Sequence, residues 1–170
     1  RLPIASIVNA KAEECAVFTC DYDDGIDPDY FDKENKWEKA GSALIPDLDP
    51  RLFGPAVYVN GTFGPTKNIM SIDPEKNYVF SAWVKPRNSN PMRFTVEAHV
   101  NGSVTPAGLN YDDFETGLVT DKWQFVKRVI KKDRLKAWGI DGKDGDYLRI
   151  WIGNYCEAGA TDPKASFDIQ

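Results

Sequence analysis

The sequence predicts an all-β protein, a sandwich of two antiparallel sheets, and three observations carry that prediction. Five segments, Asn77 to Lys85, Met92 to Val100, Trp123 to Lys131, Tyr147 to Gly153 and Ala165 to Ile169, alternate bulky apolar residues with polar or aromatic ones. A side-chain period near two marks strands with one face buried. Turn residues separate these segments at short intervals, and no stretch carries a convincing amphipathic helix. Ten or so short strands in a chain of 170 residues are best accommodated as two sheets packed face to face.

Taken in order, Ile4 to Asn9 reads as the first strand, and the acidic, turn-rich stretch from Asp21 to Asp32 reads as a loop. Trp37 to Ile45 and Ala56 to Val59 are short strands divided by Pro46, Pro50 and Pro55, which lack the amide proton that a central strand needs. Lys67 to Ile72 alternates again, and Asp73-Pro74-Glu75-Lys76-Asn77 forms a turn into the strand that follows. Asn101-Gly102 fits a tight hairpin, and the acidic run Asp141 to Asp146 fits a turn before the penultimate strand. Both Asn60-Gly61-Thr62 and Asn101-Gly102-Ser103 satisfy the glycosylation sequon, but Asn-Gly serves turns equally well.

Composition sets the outer limits. A chain of 170 residues with 42% hydrophobic residues, 13 Gly and 11 Pro is expected to form one domain, residues 1–170, around one core. No stretch approaches the ~20 consecutive apolar residues of a membrane span, so a soluble chain is expected. The formal net charge is −5, and the lysines and arginines are scattered, which lacks the footprint of a nucleic-acid binder. The chain opens on Arg1 without a charged-then-apolar leader, as expected of a piece of a larger protein or of one whose leader has been removed, and this says nothing about secretion. Cys15, Cys20 and Cys156 allow one bridge and leave one thiol; their pairing stays open. With His99 the sole imidazole, a thiolate zinc site is not expected.

The parity of the strands nominates a site. With Phe80, Ala82 and Val84 directed inward, Trp83 points outward, and the same count places Glu97 and His99, and Arg149 and Trp151, on outward positions. Were these strands neighbours in register, Trp83, Glu97, His99, Arg149 and Trp151 would share one face. Sugars present apolar C–H faces between hydroxyls, so flat aromatics for stacking beside planar polar groups suit a glycan. The plain alternative is that both tryptophans are packed and that Glu97 and Arg149 form a cross-strand ion pair. Tyr58, Phe63, Tyr111 and Tyr155 are further candidates to wall such a site, although each reads first as core or loop packing. Trp37, Trp123 and Trp138 are assigned to core or rim.

Order and spacing of these elements resemble the jelly-roll carbohydrate-binding modules of families 4, 9 and 22. The opening Ile7-Val8-Asn9-Ala10-Lys11-Ala12-Glu13 is similar to the family's first strand, with Ala12 in place of the usual aromatic. Ile72-Asp73-Pro74-Glu75-Lys76-Asn77-Tyr78-Val79-Phe80-Ser81-Ala82-Trp83-Val84-Lys85 matches a family segment closely. Trp123 opens a strand in Asp121-Lys122-Trp123-Gln124-Phe125-Val126, and Tyr147 to Ile152 with Ser166-Phe167-Asp168-Ile169 resembles the family's end, with one Asp of its usual pair. The resemblance implies a non-catalytic module that holds a polysaccharide chain in a β-sheet cleft, covalently linked to the catalytic domain of a larger secreted or cell-surface protein. It also implies a structural calcium ion bound by Glu13 and Asp168, whose shell of six to eight oxygens other groups must complete; the acidic stretch Asp21 to Asp27 reads instead as a solvated loop.

Two other function classes compete. The first is an adhesion or virion-attachment domain that presents an exposed apolar patch, for which Trp138 is the loop candidate. The second is a small β-sandwich polysaccharide lyase in which His99 and Tyr155 abstract and deliver protons while Arg149 neutralises a uronate. No phosphate-cradling glycine loop, H-E-x-x-H or nucleophile elbow is present in the sequence, which argues against catalysis by those routes.

Overall fold

The structure, a computed structural model, describes residues 30–32, 37–38, 43–45, 56–60, 64–90, 92–104, 111–115, 117–153 and 166–169. Ile4 to Asn9, Glu13, the three cysteines, the acidic stretch 21–27, Phe63 and Tyr155 lie outside the described residues. The elements run β1 (Tyr30–Asp32), β2 (Trp37–Glu38), β3 (Ala43–Ile45), β4 (Ala56–Asn60), β5 (Thr66–Met70), β6 (Tyr78–Pro86), β7 (Met92–Val100), β8 (Ser103–Val104), β9 (Tyr111–Glu115), β10 (Gln124–Ile130), α1 (Lys132–Ala137), β11 (Tyr147–Gly153) and β12 (Ser166–Ile169). They form two sheets in which every described pairing is antiparallel. A seven-stranded sheet runs β1-β2-β5-β11-β7, with β8 and β9 both paired to β7, and a five-stranded sheet runs β10-β6-β12-β4-β3.

The alternation read from the sequence explains how the sheets meet. Ala82 and Val84 of β6, Val126 of β10, Val59 of β4 and Ile169 of β12 project from the five-stranded sheet onto Met92 and Phe94 of β7 and Ile152 of β11. Phe80 closes edge-on against Phe94 at 5.4 Å and 75°, the arrangement in which a ring's positive rim meets its neighbour's negative face. Gly64 stands where β11 passes closest; a Cβ built there would overlap the carbonyl oxygen of Ile152, so no larger residue fits without moving backbone.

One end of the sandwich is plugged by a short helix that the sequence does not reveal. Six residues are too few to display helical periodicity, and α1 is held by packing: Leu135 and Trp138 are buried with Ile72, Ile130, Ile140 and Leu148. Trp138, the loop candidate for an adhesive patch, is therefore core, 5% exposed. Glu75 in the preceding turn is ion-paired with Lys136 and Lys132, which ties α1 to the segment entering β6. The Lys136 side chain, by hydrogen bond and by charge, holds the Glu75 carboxyl below its ordinary range.

Three further departures from the sequence reading have local causes. Residues 30–32, read as the end of a loop, form β1. The run from Trp37 to Ile45 is divided between the sheets, β2 in the seven-stranded and β3 in the five-stranded one. Residues 111–115 form β9 along β7, although Tyr-Asp-Asp-Phe-Glu is poor in the branched residues that signal strands. The predicted hairpin at Asn101-Gly102 does form: both residues have positive φ, 51° and 77°, and Val100 pairs with Ser103, as a two-residue turn of the mirror-image type requires.

A polar and aromatic face on the seven-stranded sheet

Strands β7 and β11 are neighbours at the middle of the seven-stranded sheet, and their register sets the candidate site. Arg149 lies opposite Glu97, Tyr147 opposite His99, and Trp151 opposite Thr95. On its other side β11 places Arg149 opposite Asn68 and Trp151 opposite Thr66 of β5. Leu148, Ile150 and Ile152 are buried in the core, so the odd positions of β11 and their cross-strand partners share the outer face.

On that face the planar groups lie close together. His99 Nε2 is 3.4 Å from Glu97 Oε2, and the imidazole stacks on the Tyr147 ring at 4.2 Å with 12° between planes. His99 is 7% exposed, and among the described residues its buried Nδ1 has no hydrogen-bond partner. Arg149 does not close on Glu97. It reaches across β5 to Glu38, Nη2 to Oε2 3.7 Å, and both side chains stay more than two-fifths exposed, so this pair is weak and easily exchanged for a ligand.

Trp151 occupies the same face but is no platform. It is 3% exposed, and Thr66 and Thr95 on either side of it are buried as well. The Arg149 guanidinium stands 5.9 Å from the Trp151 ring. Among the described side chains, the accessible aromatic on this face is Tyr147, which the sequence reading passed over. Its signal was available, since residues 147, 149 and 151 share one parity; a tryptophan two positions from the arginine drew the assignment instead.

Trp83 stands elsewhere. Strand β6 pairs with β10 and β12, whereas β7 pairs with β11, β8 and β9 in the other sheet; between Pro86 and Met92 the chain thus passes from one sheet to the other. Asn88 braces this crossing, its Oδ1 accepting the amide hydrogens of Asn90 and Ser166. Trp83 is thus on the outer face of the five-stranded sheet, on the far side of the core from Glu97, His99 and Arg149, and the single face expected for all five residues does not form. It is 43% exposed and lies 5.5 Å from the Phe125 ring.

Asp168 is fully buried on the same side as Trp83, and its carboxylate is taken up by two cations. Arg87 Nε donates to Oδ1 at 2.7 Å, and Lys85 Nζ lies 3.2 Å from Oδ2. Calcium requires six to eight oxygens, and no group of three or more acidic, His or Cys residues gathers among the described residues. The described surroundings of Asp168 are those of an ion-pair anchor; Glu13, the other ligand expected of a calcium ion, lies outside the described residues.

Several solved structures are similar to this chain at low identity. A family 16 carbohydrate-binding module is similar over 78% of this chain and 85% of its own length, with 13% identity and a TM-score of 0.47. The CBM22-1 xylan-binding domain of Paenibacillus barcinonensis Xyn10C is similar over 80% of this chain and 82% of its own, with 15% identity and a TM-score of 0.45. The isomalto-dextranase of Arthrobacter globiformis T6, in complex with panose, matches 78% of this chain with 21% of its own length, at 14% identity and a TM-score of 0.42. Likeness at this level carries no ligand from one chain to another. No protein-family model and no curated protein matches the sequence.

Proposed function

We propose that this chain is a non-catalytic carbohydrate-binding module that holds a polysaccharide on the outer face of the seven-stranded sheet. The observation that carries the reading is the juxtaposition of Glu97, His99, Tyr147 and Arg149 on two paired strands, where a ring and three planar polar groups lie side by side. A sugar ring stacks on an accessible aromatic while its vicinal hydroxyls take paired hydrogen bonds from a carboxylate and a guanidinium. The weak Arg149 to Glu38 contact leaves the guanidinium ready for that exchange.

In this reading the module belongs to a larger secreted or cell-surface protein and keeps an attached catalytic domain near its substrate. That is an effective-concentration gain and requires no chemistry of its own. Support for the attachment comes from the family resemblance in sequence.

Affinity electrophoresis in gels containing β-glucan, xylan, mannan or an acidic polysaccharide tests the reading, with reducing-end and unsaturated-product assays on the same samples. Retardation by one polymer without product, lost in Arg149→Ala and Glu97→Ala, is the expected result. Formation of an unsaturated product would replace this reading with the lyase, and absence of retardation by every polymer would overturn it.

A further inference from the structure

The outer side of the β6 and β10 ladder is unlike an ordinary solvated sheet face. Val79 pairs with Val129, Ser81 with Lys127, and Trp83 with Phe125, so two apolar rows flank one polar row. All four apolar side chains are open to solvent: Val79 63%, Phe125 55%, Trp83 43% and Val129 43%. The planes of Trp83 and Phe125 are inclined at 56°, forming a shallow notch. Beyond them Lys85 lies 5.4 Å from the Trp123 ring centroid, and Arg87 stands 4.6 Å over the Tyr58 ring. Rings and cations alternate across this face, and the carboxylate of Asp168 among them is buried and already paired.

The charge of the face singles out its ligand. Among the described side chains of this face, Lys85, Arg87 and Lys127 set three positive charges against the negative charge of Asp168, in a chain whose net charge is −5. A dry protein interface fits poorly, since closing over the Ser81 and Lys127 row would strip water from an ammonium that has no ion-pair partner among the described residues. A second copy of this face would bring Lys127 toward another Lys127. A hydrated polymer that is flat and apolar on its ring faces and anionic at its edges meets both requirements.

We propose that this face is a second glycan-binding surface, separate from the one on the opposite sheet, and that it takes an anionic polysaccharide bearing uronate carboxylates. Sugar rings lie in the notch between Trp83 and Phe125, and a uronate carboxylate meets Lys127.

The test is affinity electrophoresis of the whole chain in gels containing polygalacturonate, alginate, or methyl-esterified pectin, whose carboxylates are masked. Expected are retardation by polygalacturonate or alginate that weakens with salt, little retardation by the ester, and a loss of about tenfold in apparent affinity, or 1.4 kcal/mol, in Trp83→Ala/Phe125→Ala. Lys127→Gln should weaken binding and flatten its salt dependence, while Arg149→Ala on the opposite sheet should leave it in place. Both rings are exposed, so melting curves of the variants should overlay the parent's. The proposal fails if neither acidic polymer retards the chain, if the esterified polymer binds equally well, if Trp83→Ala/Phe125→Ala binds like the parent, or if sedimentation shows the patch to be a dimer contact. Loss through Arg149→Ala alone would return acidic-polymer binding to the other face.

Discussion

Tyr147 and Trp151 sit four positions apart on one strand and one face, yet substitution should affect them in opposite ways. Tyr147 is partly exposed and stacked on His99, so Tyr147→Ala should reduce glycan retardation and leave the melting temperature nearly unchanged. Trp151 is buried between two buried threonines, and Trp151→Ala should destabilise by about 3–5 kcal/mol, read as a fall in the denaturant midpoint. A Trp151→Ala protein that melts like the parent and loses only binding would show instead that the indole is a ligand platform. Asp168 presents the complementary case. Removing its carboxylate leaves Lys85 and Arg87 facing each other, but both are partly open to water, so Asp168→Ala should cost about 1–3 kcal/mol, less than the loss of a wholly buried pair.

At the scale of elements, two packing contacts set limits on the fold. Gly64→Ala drives a methyl into the Ile152 carbonyl and should cost about 1–3 kcal/mol or more through displaced backbone. Trp138→Ala should cost about 3–5 kcal/mol by opening the end of the sandwich that α1 closes, and equilibrium denaturation measures both. The strongest strands were legible in advance because Tyr-Val-Phe-Ser-Ala-Trp-Val and Tyr-Leu-Arg-Ile-Trp-Ile keep a strict period of two with branched and aromatic residues. β1 and β9 were not, since acidic residues mask their pattern, and α1 was too short to show any. Neighbourhood was the harder inference. β6 and β7 follow each other with a short connection, but Asn88 braces a passage between sheets, and Trp83 is thereby parted from Glu97, His99 and Arg149.

For the molecule as a whole, the ion pairs around Asp168 bear on metal dependence. With both carboxylate oxygens neutralised by side-chain cations, the closing strand has its counter-charge already, and chelation with EDTA should leave the melting temperature where it was. A clear fall restored by calcium would show that residues outside those described here complete an ion site. Strand β10 has a different consequence for the whole molecule. Among the described strands it ends the five-stranded sheet, a position at which a backbone edge invites another chain to add a strand, and its outward Phe125 and Val129 would reward that addition. Lys127 stands between them and Lys131 follows, both exposed, and each would have to be carried, charged, into the growing ladder. The lysines thus act as guards against fibril growth. Lys127→Val would remove one of them and join the apolar rows, and such a variant should form thioflavin-positive aggregates on mild heating at concentrations where the parent stays clear.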